Sequence, residues 1–80
     1  MRIDKFLKVS RIIKRRTIAK EACDLERVSL NGRVCKAGAE VEEGDVIEVR
    51  FGGSVFRARV LSLRENVRKE EASDMYELLK

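Results

Sequence analysis

Histidine is absent from this 80-residue chain, which removes the commonest general base of enzymes and every triad or dyad built on an imidazole. Two cysteines, Cys23 and Cys35, are too few for a disulfide framework, and without histidine they assemble no zinc ligand set. They are expected to be separate, reduced, buried thiols behaving as small core residues. Aromatic residues make up 5% of the chain against 44% hydrophobic, so the core must be built from small and aliphatic side chains. No apolar run is long enough to span a bilayer, and the opening MRIDKFLK has charges where a signal peptide needs its apolar centre. The expectation is a cytoplasmic protein of one small domain, with no membrane partner. There is no glycine-rich nucleotide loop and no room for a catalytic domain, so no enzymatic activity, cofactor or metal is expected.

What the chain does have is charge, unevenly placed. The net charge is +4, but residues 1–20 hold eight basic groups against Asp4 alone, a local +7. The remainder has ten basic and thirteen acidic groups and sums to −3. Evenly mixed charge solvates a surface, whereas one-sided charge makes a field that attracts polyanions.

Ile3, Phe6, Leu7 and Ser10 follow the spacing of one helix face, with Lys5 and Lys8 on the other side. Asp4 sits in the first turn of that helix, where a carboxylate favours the free amides. Residues 10–16 read as a turn, although Ile12 and Ile13 need cover. A second helix is predicted to start at Thr17 as N-cap, with Ala19, Ala22 and Cys23 as its apolar stripe and an end near Glu26 and Arg27. Val28 to Val34 flank Asn31-Gly32, the strongest short signal for a type I′ hairpin. Val46 to Phe51 and Ser54 to Val60 alternate on either side of Gly52-Gly53. If those glycines form a two-residue loop, Val49 meets Phe56 and Ile47 meets Ala58 on one face, with Glu48 opposite Arg57 on the other. From Arg64 the chain is highly charged until Ala72, Met75, Tyr76 and Leu79 make a helical stripe. That stripe fits a short helix folding back on the domain, or one that docks a partner. The expected division is a domain over 1–63 and a tail over 64–80.

Lys14-Arg15-Arg16 precedes the predicted second helix, whose free amides and dipole favour an anion, and Thr17 adds a hydroxyl. Arginine forks suit phosphate oxygens. If the two helices pack side by side, Arg2, Lys5, Lys8, Arg11 and Lys20 join them, a set suited to a folded RNA backbone. No aromatic platform for stacking single strands interrupts it. Arg16 is expected to contact phosphate rather than stabilise the fold, so Arg16→Ala should cost about 0.5 kcal/mol of stability, like an ordinary surface change.

Arg2-Ile3-Asp4-Lys5-Phe6-Leu7, Arg15-Arg16-Thr17-x-Ala19, Val28-x-Leu30-Asn31-Gly32-x-Val34 and Val41-x-x-Gly44-Asp45-x-Ile47-x-Val49 together resemble the S4 RNA-binding domain. One departure is Arg15, where many S4 domains carry serine. The resemblance implies an α+β fold of the S4 (αL-like) type: two N-terminal helices packed on a small, mainly antiparallel sheet, with a short C-terminal helix. It also implies that Arg2 and Arg16 are principal RNA contacts. Residues 2–21 and the tail from Lys69 to Tyr76 are similar to the stand-alone bacterial S4 proteins of ribosome quality control. That similarity implies a monomer on the 50S ribosomal subunit, contacting large-subunit rRNA and peptidyl-tRNA while a partner factor performs alanine tailing. An RNA chaperone or translational regulator acting without a ribosome would need the same basic face.

Overall fold

The computed structural model describes residues 1–79. Helix α1 spans Ile3–Val9 and helix α2 spans Arg16–Asp24. The strands are β1 (Val28–Leu30), β2 (Arg33–Val34), β3 (Val46–Phe51), β4 (Ser54–Val60) and β5 (Tyr76–Leu78), with a 3₁₀ helix at Lys69–Met75 before β5. They form an antiparallel sheet in the order β2-β1-β3-β4-β5, an α+β architecture with both α-helices packed on one face.

Ile3, Phe6 and Leu7 of α1 are fully buried, and Ser10 is 1% exposed, as the helical spacing requires. From α2, Ala19 and Cys23 enter the same core, and the sheet contributes Val28, Ile47, Val49 and Val60. Small residues on α2 let the two helices approach closely without large aromatics. Ile13 is buried in the turn and Ile12 half-buried against the core.

The first hairpin turns at Asn31-Gly32 as expected, and the second has the expected register. Asn31 and Gly32 take φ of 52° and 85°, the pair of positive values that a type I′ turn demands. The Asn31 side chain then ties this turn to the next strand: its Oδ1 accepts from the Val46 amide at 2.8 Å and its Nδ2 donates to Asp45 at 3.1 Å. Across β3 and β4, Val49 faces Phe56, Ile47 faces Ala58 and Glu48 faces Arg57, with the last pair joined at 2.8 Å.

Three expectations are corrected. Thr17 is not the cap of α2: Arg15 occupies the N-cap with no side-chain hydrogen bond, and Thr17 lies within the first turn. At the other end, Glu26 adopts φ 60° and closes the helix with amide bonds from Glu26 to Cys23 and from Arg27 to Ala22. This is a Schellman closure with glutamate where glycine is usual. The C-terminal stripe is not one helix running to Leu79. Its first part is a 3₁₀ helix that buries Ala72 and Met75, after which Tyr76 enters β5 and pairs with Val60. Tyr76 reaches Phe56 edge to face, with ring centroids 5.8 Å apart, and that tertiary contact outweighs the local helical spacing. Finally, Cys23 and Cys35 are both free, but Cys35 is half-buried rather than buried, with its thiol 3.7 Å from the Val28 carbonyl.

Candidate nucleic-acid interface

The start of the chain is fixed before any side chain is considered. Amides of Ile3 and Asp4 donate to the carbonyls of Ala39 and Ala37, the Val41 amide donates to Met1, and Arg2 bridges Glu40. The N-terminal ammonium pairs with Glu40 at 3.0 Å. This anchoring lays Arg2 beside Gly38 and turns Asp4 inward.

Asp4 is 2% exposed, an unusual place for a carboxylate unless it is paired. It accepts from the Lys5 amide at 2.8 Å, from Arg2 Nε and Nη2 at 3.2 and 3.3 Å, and from Arg16 Nη2 at 3.4 Å. Arg16 Nε lies 3.4 Å from its other oxygen. Burial pushes the Asp4 carboxyl up, but the hydrogen bond and charge of Arg16, the bond from Arg2 and the Lys5 amide outweigh it and hold the group below its ordinary value. One buried carboxylate therefore draws together arginines fourteen residues apart in sequence, from the N-cap of α1 and the first turn of α2. Each arginine side chain is still about half exposed, at 50% and 46%. Two guanidinium groups against one carboxylate leave a net positive charge facing solvent. Beside them, α2 opens with no capping side chain, so its first-turn amides remain available to an anion.

A second grouping lies along the C-terminal end of α1. Lys8, Arg11 and Lys14 surround an open pocket of about 200 Å³, closed on its far side by Glu65 and Asn66. Arg11 adopts φ 62°, which reverses the chain just after α1 and brings Lys14 back toward Lys8. Glu65 also binds Lys5 at 2.9 Å, and that hydrogen bond and charge hold the exposed Glu65 carboxyl below its usual value. Lys5 thus has an acidic partner of its own, as Arg2 and Arg16 have Asp4.

Of the residues singled out from sequence, Arg2 and Arg16 meet on Asp4, and Lys8, Arg11 and Lys14 share the pocket. Arg15, Thr17 and Lys20 are exposed along the start of α2, with Lys20 one turn beyond Arg16 on the same face. Their side chains make no ion pair among the described residues. Asp4 itself was assigned to the helix dipole, and its part in holding the two arginines was missed. The available signal was its isolation, as the one acidic residue among eight basic ones. Asn66, in the tail, carried no signal.

An antiparallel sheet with two helices packed on one face, and basic side chains spread over both helices and the turn between them, makes a small α+β domain with a surface that attracts polyanions. The S4 domain family model matches residues 1–47, and the chain belongs to that family. Over its whole length it is 55% identical to a protein of Halalkalibacterium halodurans and 52% identical to one of Bacillus subtilis, covering 91% and 93% of them. Both are named RQC P-site tRNA stabilizing factor. Among solved structures, trimeric Heat Shock Protein 15 of Vibrio cholerae superposes with a TM-score of 0.91 at 28% identity, over 99% of this chain and 81% of that one. The solution structure of a hypothetical protein, HP1423, gives 0.84 at 32% identity over 100% and 98%.

Proposed function

We propose that this protein binds structured RNA and, as the shared name of its relatives suggests, stabilises P-site tRNA in ribosome quality control, and that it does so on the large ribosomal subunit. In this reading it contacts large-subunit rRNA and peptidyl-tRNA on a stalled, split 50S subunit. It thereby supports alanine tailing of the nascent chain by a partner factor. It works in the cytoplasm as a monomer, and by binding rather than catalysis.

The observation that carries the reading is the arginine pair on Asp4. Guanidinium groups already held side by side can take a phosphate without first being ordered, which removes part of the entropic penalty of binding. Lys8, Arg11, Lys14, Arg15, Thr17 and Lys20 extend this contact set over the two helices and the turn between them. A spread of cations over a surface of this size suits a folded backbone, where shape and phosphate positions are read rather than base edges.

Cosedimentation with purified 50S subunits, vacant or loaded with P-site tRNA, tests the proposal. The expected result is preferential binding to the loaded subunit. Equal affinity for free structured RNA and for loaded subunits would favour a chaperone or regulator acting without the ribosome.

A further inference from the structure

Two parts of the chain far apart in sequence face each other across the pocket at the end of α1. Lys8, Arg11 and Lys14 bring three cations to it, the tail brings Glu65 and Asn66, and Val9 and Val67 complete the lining. The basic side holds backbone strain. Arg11 follows the C-cap of α1 with φ 62°, in the left-handed region where glycine is the usual residue. Its amide donates to the Lys8 carbonyl at 3.1 Å and the Ile13 amide to the Leu7 carbonyl at 3.0 Å, so the chain doubles back and returns Lys14 to the pocket. The tail side is not basic at all. Glu65 gives its Oε1 to Lys5 at 2.9 Å, while its other oxygen and the Asn66 carboxamide have no hydrogen-bond partner among the described residues. A carboxylate only accepts hydrogen bonds, so on the wall of a cationic pocket it works against a bare anion. A ligand that suits both walls carries an anion and, close by, a hydroxyl.

We infer that this pocket seats one ribonucleotide unit of the RNA backbone, with its phosphate on Lys8, Arg11 and Lys14 and its ribose 2′-hydroxyl on Glu65 and Asn66. The inference rests on the RNA-binding reading above and adds to it a pair of residues that recognise the sugar. A 2′-hydroxyl is donor and acceptor at once, so it can donate to the free Glu65 oxygen while the Asn66 amide donates to it. Because Lys5 already balances Glu65, the three pocket cations keep the site positive for the phosphate. Val9 and Val67 offer apolar surface to the sugar carbons, and no aromatic ring is present on which a base could stack. A backbone without the hydroxyl would leave the Glu65 oxygen facing no donor.

The test compares a labelled RNA hairpin with a 2′-fluoro twin of the same sequence, which keeps the A-form helix but has no hydroxyl to donate. Fluorescence anisotropy should show the whole chain binding the RNA about tenfold or more tightly than the twin, the loss expected when a hydrogen bond to a charged group is removed. Combined Glu65→Ala and Asn66→Ala, at two exposed positions that the fold does not depend on, should bring that ratio close to one. The ratio is the readout because freeing Lys5 should raise affinity for both hairpins. Arg11→Gly, which relieves the left-handed backbone and so keeps the fold, should weaken both hairpins alike and leave the ratio unchanged. A wild-type ratio near one, or a ratio that survives the loss of Glu65 and Asn66, would overturn the inference while RNA binding stands, and Glu65 would then serve Lys5 alone. Full affinity in Arg11→Gly would overturn the phosphate seat. Failure of either hairpin to bind in a salt-sensitive way would instead overturn the RNA-binding reading, and this inference with it.

Discussion

Replacing Arg16 with alanine separates recognition from folding, because the guanidinium touches a buried carboxylate on one side and solvent on the other. An exposed ion pair contributes about 0–1 kcal/mol, whereas stripping the partner from a fully buried charge costs about 3–5 kcal/mol. Arg16 lies between these limits: its side chain is 46% exposed and its contacts with Asp4 are long, at 3.4 Å. Asp4 would also keep Arg2 and the Lys5 amide. The folding loss is therefore about 1 kcal/mol, above the ordinary surface value that sequence position suggested, and it should lower Tm by about 4–8 °C. Loss of a charge-assisted phosphate contact should cost about 1.5–3 kcal/mol of RNA binding, or roughly 10- to 150-fold in affinity. Arg64→Ala is the control, since its contact with Glu71 is exposed and 3.7 Å long. Thermal melting and 50S cosedimentation of both variants decide the matter. A folded Arg16→Ala protein that binds with full affinity would refute the role assigned to Arg16. A binding loss that only tracks the unfolded fraction would refute it equally.

RNA affinity should fall steeply with salt, each phosphate contact adding about 0.7–0.9 to the slope of log K against log salt; a flat titration would rule out the basic face as the main contact. Asp4 has a folded pKa below its ordinary value of 3.8, so the stability it contributes is present above that value and is lost as pH falls through the folded one. Acid melts of the wild type and Asp4→Asn should show the variant losing less stability over that window, and parallel curves would contradict the assignment. Burial pushes the Cys23 thiol up to about 12, with Cys35, Asp4 and Asp24 adding to the effect, and burial raises Cys35 as well. Thiol labelling at neutral pH should be slow at Cys23 until denaturant is added and faster at half-buried Cys35, and rapid native labelling of Cys23 would count against the packing of α2.

Elements whose partners lie nearby in sequence were legible from it. Asn31-Gly32 and Gly52-Gly53 each specify a turn that leaves one register, and the face of α1 follows from the spacing of Ile3, Phe6 and Leu7. The tail was not legible, because Tyr76 becomes strand through contact with Val60 and Phe56, sixteen and twenty residues away. At the start of α2 the preference of threonine for N-caps misled, since the turn out of α1 delivers Arg15 to that position instead. The basic segment was plain from charge alone. That Arg2 and Arg16 share Asp4 was not, because it depends on how α1 and α2 cross and on the pairing of the N-terminus with residues 37–41.

Strand β5 also guards against aggregation. Without it, the outer edge of β4 would present free backbone donors and acceptors beside Ala58 and Val60, a template for pairing with other chains. Loss of Ala72 and Met75 would open the core at the same edge. The link from β4 to the 3₁₀ helix, residues 61–68, has no regular structure and exposes Arg64 and Arg68, so it is a natural point for trypsin-like cleavage. A single nick there, followed by release of the tail, would leave every basic RNA-contact candidate in the remaining fragment and still make that fragment prone to self-assemble through its sheet.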